Sequence, residues 1–302
     1  MGDDNSFFVV ENGGNSCYID SLLMALFYTQ SYLEGVLKKK LKKDENSYIQ
    51  EYIYQVFVTK VRDGKSVSSE EINNLRVILT QSGWLDWDSI LEQQDVNEFY
   101  TFLADLLEFT PIELEKKIYT DISESTIKNE KLPFIPLSLP YDLKNNKPIK
   151  DIMKVPDMLR NWLHLDEVDL KREGQDAKGL STYLISNVPE FLMLSINRFP
   201  TPDIRNNTDV IITKTIKPFT NSSNQDIKNI EWSFHSAICH KGSNPRSGHY
   251  YSLLFSKKDD KDVWYIFDDL TIPSLIEVSM EDKTVTSEIK KDCIFLVYQL
   301  KF

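Results

Sequence analysis

No CxxC pair occurs in this 302-residue chain, and its three cysteines, Cys17, Cys239 and Cys293, lie far apart. An odd, scattered set of thiols signals neither a disulfide framework nor a zinc ribbon. Reduced thiols suit a cytosolic or nuclear setting. Histidine is scarce too: His164, His235, His240 and His249 include no HxxxH pair, so neither a metal site nor a cofactor is expected. No apolar run approaches the roughly 20 residues that span a bilayer. The N-terminal stretch MGDDNSFFVVENGG lacks the basic region of a secretory leader. Ser6 fits a loose myristoylation pattern on Gly2, but Asp3 and Asp4 oppose an anionic membrane surface. The net charge of −11 disfavours nucleic acid as a partner. There are no internal repeats and no low-complexity linker.

What is present is an ordinary globular composition, 41% hydrophobic and 27% charged, with enough apolar side chains for a sizeable core. The N-terminal part reads as helical. Helices are expected over 17–28, 47–60 and 69–81, the last opened by a capping box, Ser68-x-x-Glu71. In QQDVNEFYTFLADLLEF, Val96, Phe99, Tyr100, Phe102, Leu103, Leu106 and Leu107 recur at helical spacing, and Pro111 closes the run. KKKLKK at 38–43 reads as a solvated helix end. From about Leu132 the pattern becomes FIPLSL, EFLMLSINRF, DVIITKTI, WSFHSAI, HYYSLLFS, VWYIF and CIFLVYQL, a series of strands with one helical stretch near 151–163. Helices first and mostly antiparallel strands later is the α+β pattern.

Cys17 opens an apolar run, CYIDSLLMALFY, directly behind Gly13 and Gly14. A thiol is nucleophilic as thiolate, and a helix N-terminus favours the thiolate. The glycines permit a tight turn into the helix and leave backbone N–H groups facing a substrate. Asn12 offers a side-chain amide to an oxyanion. The ordinary alternative is a small buried helix residue. A nucleophilic thiol needs a base, and SGHYYSLLFSKKDDKDVWYIFDDL reads as a hairpin around KKDDKD. Pairing Ser256 with Asp262 sets His249 opposite Asp269, and a register one residue tighter sets it opposite Asp268. Either way a carboxylate meets and orients an imidazole, as a Cys–His pair requires. Gly248 leaves room for a substrate backbone.

These segments carry a resemblance. NGGNSCYIDSLL resembles the cysteine box of the ubiquitin-specific proteases, and QQDVNEFYTFLADLLE their QQD segment. EFLMLSINRF is similar to their strand ending in Arg-Phe, and GHYYSLL…WYIFDD to their histidine box. The four occur in the family's order and span about residues 8–300.

The resemblance implies a papain-like cysteine protease fold with a helical thumb, a β-rich palm and short, zinc-free fingers. It implies one catalytic domain over 1–302, with the thumb at about 1–115, the fingers and part of the palm at 116–185 and the rest of the palm at 186–302. Cys17 would be the nucleophile, His249 the base, Asp268 the residue that orients it and Asn12 the oxyanion donor. Gln94, Asp95 and Glu98 would grip the ubiquitin tail, Tyr250 and Gly248 would line the channel for its terminal glycines, and Asp269 would be a supporting acid. Asp95 and Glu98 equally suit a helix N-cap and its capping-box partner. The implied activity is thiol-dependent hydrolysis after the C-terminal glycine of ubiquitin. The implied partners are ubiquitin and ubiquitinated proteins, met as a monomer in the cytoplasm or nucleus, with no membrane or nucleic acid. A composition rich in Lys, Asn and Ile, as an AT-rich genome encodes, leaves a host cell as one setting. An inactive ubiquitin-binding scaffold and a protease for another ubiquitin-like modifier are the alternatives. Two departures stand out: Ser16 where the family usually has threonine, and Asp20 where it usually has asparagine.

Overall fold

The computed structural model describes residues 8–120, 123–172, 175–218 and 229–301. The acylation pattern at residues 1–6 lies outside them. The first helices are α1 (Cys17–Phe27), α2 (Ser47–Tyr52), α3 (Thr59–Arg62), α4 (Ser69–Gln81) and α5 (Val96–Leu106). Then come β1 (Ile112–Thr120), β2 (Ser123–Leu132), β3 (Ile135–Ser138), β4 (Tyr141–Asp142), β5 (Lys147–Pro148), β6 (Ile152–Lys154) and α6 (Val155–Leu165). They are followed by β7 (Asp166–Arg172), β8 (Gln175–Ile185), β9 (Phe191–Asn197), β10 (Asp209–Ile211) and β11 (Thr215–Ile216). The chain ends with β12 (Trp232–Asn244), β13 (Ser247–Lys258), β14 (Lys261–Phe267), β15 (Leu275–Val278), α7 (Lys283–Asp292) and β16 (Cys293–Leu300).

The chain divides into two compact units. The first comprises 1–109, 201–205 and 235–297, and the second 110–200, 206–234 and 298–302.

In the first unit α1 has no polar face, and all eleven of its residues are buried. A helix apolar all round belongs in a core. It lies against β13, and its backbone carbonyls are tied to the strands: Ser252 Oγ donates to Ser21 O at 2.7 Å and Ser236 Oγ to Ala25 O at 2.6 Å. The capping box of α4 is formed, with Ser68 Oγ accepting from Glu71 N and the Glu71 carboxylate accepting from Ser68 N. Between α2 and α3 the helix continues as a π segment, Ile53–Val58. The strands of this unit run in the order β15-β14-β13-β12-β16.

The β13–β14 hairpin corrects the expected register. Ser256 pairs with Val263, and Lys258 with Lys261. The connection is thus the two residues Asp259 and Asp260, at φ 50° and 60°. Left-handed conformation at both central positions is the type I′ turn, whose twist matches the flanking strands. Pairing ends at Ser252↔Phe267, so His249 and Asp268 meet through their side chains beyond the last paired residues.

The second unit holds elements that the sequence pattern does not show. Strands β1, β2, β7 and β8 form a four-stranded antiparallel sheet, in the order β2-β1-β8-β7. The segments at 112–132 and 166–185 are rich in Glu, Lys, Asp and Ser, which masks alternation. The helix near 151–163 begins later, at Val155, because Ile152–Lys154 pairs in parallel with Asp209–Ile211. Trp162 stacks on Tyr183, with centroids 4.1 Å apart.

Candidate active site

The residues that resemble a cysteine-protease site all fall in the first unit. Gly14 at φ 82° and Asn15 at φ 57° turn the chain into α1. Asn12 Oδ1 accepts from Gly14 N at 2.7 Å, and Arg76 donates to Gly13 O at 3.1 Å from a buried position on α4. Cys17 is the first residue of the helix. Only 2% of it is exposed, and its sulfur accepts the Tyr250 backbone N–H.

That burial reverses one expectation. The thiol is pushed up to about 12, chiefly by desolvation, with the Asp269 charge adding to it against the opposing Tyr250 N–H. Position at the helix start does not make Cys17 a resting thiolate. A nucleophilic role for this sulfur requires that its proton leave as it attacks.

His249 Nε2 lies 2.8 Å from Asp268 Oδ1 and 3.8 Å from Asp269 Oδ1. Burial raises the Asp268 carboxyl, but hydrogen bonds from His249 and from the Leu270 backbone N–H outweigh it and hold Asp268 below the usual carboxylate range. Asp269 serves another partner, because Asn12 Nδ2 donates to its Oδ2 at 2.7 Å. An amide nitrogen carries two hydrogens, so this bond aims the Asn12 side chain and leaves its second N–H for another acceptor. Among the described residues, the one group of ligating side chains close enough to hold a metal ion is His249, Asp268 and Asp269.

The expected tail-binding residues divide. Asp95 is the N-cap of α5, its Oδ1 accepting from Asn97 N at 2.6 Å and Glu98 N at 3.4 Å. Glu98 does not close a capping box. Its exposed carboxylate takes both bonds from Arg246 Nη2, each 3.2 Å. Gln94 is buried.

One expectation is corrected. Tyr250 does not open onto a channel: its side chain is 0% exposed, and its Oη donates to Pro245 O at 2.6 Å and accepts from Val96 N. It ties the turn before His249 to the start of α5. Gly248, at φ 122°, is exposed, and a Cβ there would lie 2.2 Å from Lys241 O. The neighbouring strand's backbone therefore requires glycine at this position.

A family model described as "Ubiquitin carboxyl-terminal hydrolase" matches residues 9–298. The chain belongs to the ubiquitin carboxyl-terminal hydrolase family. Family relatives include ubiquitin carboxyl-terminal hydrolase 15 of Schizosaccharomyces pombe, 26% identical over 88% of this chain and 24% of that protein. Another is ubiquitin carboxyl-terminal hydrolase 15 of Saccharomyces cerevisiae, 25% identical over 85% of this chain and 22% of that protein. The chain therefore spans about a quarter of the length of these curated relatives. The fold is also that of the SAGA Ubp8/Sgf11/Sus1/Sgf73 DUB module bound to ubiquitin aldehyde, at TM-score 0.67 and 16% identity over 100% of this chain and 71% of that one. The papain-like α+β fold of the family is thus the fold of this chain.

Sequence reasoning missed Arg76, Arg246 and the importance of Asp20. Asp20 carried a signal, being a single acid in the otherwise apolar helix CYIDSLLMALF. Arg76 and Arg246 carried none, because their partners, Gly13 and Glu98, are remote in sequence.

Proposed function

We propose that the chain is a thiol-dependent deubiquitinase that hydrolyses peptide and isopeptide bonds after the C-terminal glycine of ubiquitin. The observation that carries this reading is the 2.8 Å bond between His249 and Asp268, on a strand whose next residue hydrogen-bonds the Cys17 sulfur. Asp268 orients the imidazole, as the third member of a triad does.

The chemistry follows from a neutral resting thiol. As the Cys17 sulfur attacks the glycine carbonyl, His249 takes the thiol proton and the carbonyl oxygen becomes an oxyanion. The second N–H of Asn12 donates to that oxygen. The tetrahedral species collapses, the C–N bond breaks, and His249 passes the proton to the departing amine. Water then attacks the thioester with His249 as its base, and the products are the ubiquitin carboxylate and the restored thiol. His249 must act as a base in both halves, so neutral imidazole is the active form.

In this reading residues of about 116–185 correspond to the reduced fingers with part of the palm, and the helices before them to the thumb. The three cysteines, all among the described residues, are not in disulfides, which suits the cytoplasm or nucleus. No helix among the described residues is long and apolar enough to cross a membrane. Glu98 is the residue of the QQD segment that stands exposed, and it binds the arginines of the ubiquitin tail in place of Arg246.

The test is a ubiquitin carrying a C-terminal propargyl group. It is expected to label wild type at Cys17 and to leave Cys17→Ala unlabelled. Binding without labelling would leave only a scaffold, and labelling by another modifier's probe alone would reassign the substrate.

A further inference from the structure

We propose that Asp20 is a positioning residue: its carboxyl group keeps a proton that it donates to Asp269, and this bond holds Asp269 in place as the acceptor for the Asn12 amide. The inference rests on the reading that Asn12 serves the oxyanion.

The hydrogen bonds around the two acids leave one gap, and a proton fills it. Ser16 Oγ receives Gly13 N at 2.8 Å and donates to Asp20 Oδ2 at 2.6 Å. Asn12 Nδ2 occupies Asp269 Oδ2 at 2.7 Å. The remaining oxygens, Asp20 Oδ1 and Asp269 Oδ1, are buried and receive no donor from elsewhere among the described residues. The two side chains stand within hydrogen-bonding reach of each other, with Asp20 on the donor side. Two carboxylates are both acceptors and repel. One proton between them makes an O–H···O⁻ bond and satisfies both.

Charge balance points the same way. Asp20 is 0% exposed and Asp269 6%. The groups facing them are Arg76 from α4, Cys17 and Tyr18 from α1, His249 from β13, and Asp268 beside it. Arg76 supplies one positive charge. It offsets a pair that carries a single negative charge, whereas a doubly ionised pair would bury a second one near Asp268. Burial first, and then the mutual repulsion of the pair, raise Asp20 well above the ordinary range. Burial likewise raises Asp269.

An asparagine at position 20 would offer a permanent N–H to Asp269. This chain makes the same bond with a group that titrates. When the pair loses its proton at alkaline pH, Asp269 is pushed from Asp20 and Asn12 loses its aim.

The experiment uses the full chain, its D20N and D20L variants, and a fluorogenic ubiquitin C-terminal amide, followed from neutral to alkaline pH. Wild-type kcat is expected to fall through a one-proton alkaline step with little change in KM, and D20N is expected to lack that step. D20L, which can neither donate nor accept, is expected to lower kcat at neutral pH by about tenfold relative to D20N. Infrared spectra should show a protonated-carboxyl stretch at neutral pH that D20N removes. Superimposable pH profiles for wild type and D20N, or no such band in wild type, would overturn the proposal. If wild type turns over no ubiquitin substrate, the functional reading has failed, and two other readouts still decide the shared proton. One is the infrared band. The other is thermal stability: a carboxyl raised by folding contributes stability that is complete below the ordinary carboxylate range and is lost as pH climbs to its raised value, so the stability of D20N relative to wild type should rise across that interval.

Discussion

The thiol of Cys17 is covered, protonated and held by the backbone N–H groups of Tyr250 and Tyr18, so in the proposed reading its reactivity depends on what removes its proton. Cys17→Ala is expected to leave less than about a thousandth of wild-type turnover while ubiquitin binding persists, read by single-turnover kinetics and titration. The two acids after β14 have separate tasks. Asp268 holds His249, and Asp269 holds Asn12. Asp269→Ala and Asn12→Ala are therefore expected each to lower kcat by roughly ten- to a hundredfold, and the double variant no further than either alone. Full additivity in that cycle would show that Asp269 acts elsewhere. The placement of Cys17 at a helix start and of His249 near a strand start was legible in the sequence, one from the glycines before an apolar run and the other from the alternating strand pattern. The division of labour between Asp268 and Asp269 was not, since it depends on side-chain reach beyond the last paired residues of the hairpin.

Among the elements, the β12–β13–β14 ribbon carries the site, and its tightest point is Gly248. A Cβ there would strike Lys241 O and would also occupy a left-handed backbone conformation, at φ 122°. Gly248→Ala is expected to destabilise the protein by about 2 kcal/mol or more, read as a lower denaturant midpoint, with activity falling as His249 shifts. At the start of α5 the two acids behave differently. Asp95 caps the helix, whereas Glu98 makes a solvent-exposed pair with Arg246. Surface pairs contribute about 1 kcal/mol or less, so Glu98→Gln should leave the melting temperature nearly unchanged. A rise in KM for ubiquitin substrates in that variant would then report tail binding alone. Elements with local punctuation read well: the α4 capping box lies where Ser68 and Glu71 set it. The hairpin register was off because Asp259 and Asp260 both tolerate positive φ, giving a two-residue turn where a longer one was expected. Strands β1, β2, β7 and β8 escaped because polar side chains dominate both of their faces in sequence.

For the whole molecule, two buried histidines set the response to acid. His235 and His240 are each lowered to about 4, first by desolvation and then by the Arg62 and Arg205 charges respectively. Their folded values lie below the unfolded one. The stability they allow is complete above the ordinary histidine range and is lost as pH falls toward 4. By about pH 5 the cost is roughly 2 kcal/mol per histidine, so melting temperatures should drop steeply between neutral and mildly acidic buffers. A flat profile over that interval would mean that these rings are hydrated in solution.

The first unit is assembled from 1–109, 201–205 and 235–297, interleaved along the chain with the second. This order matters during synthesis. Cys17 leaves the ribosome before His249 and Asp268, which follow more than two hundred residues later. Over that interval the nascent chain carries the thiol without the histidine, the acids or the strand whose N–H reaches the sulfur. In the proposed reading, a message cut short between α1 and β13 yields an inert product. The proposed chemistry awaits the synthesis of β13 and β14, so that translation through them is itself the activating event.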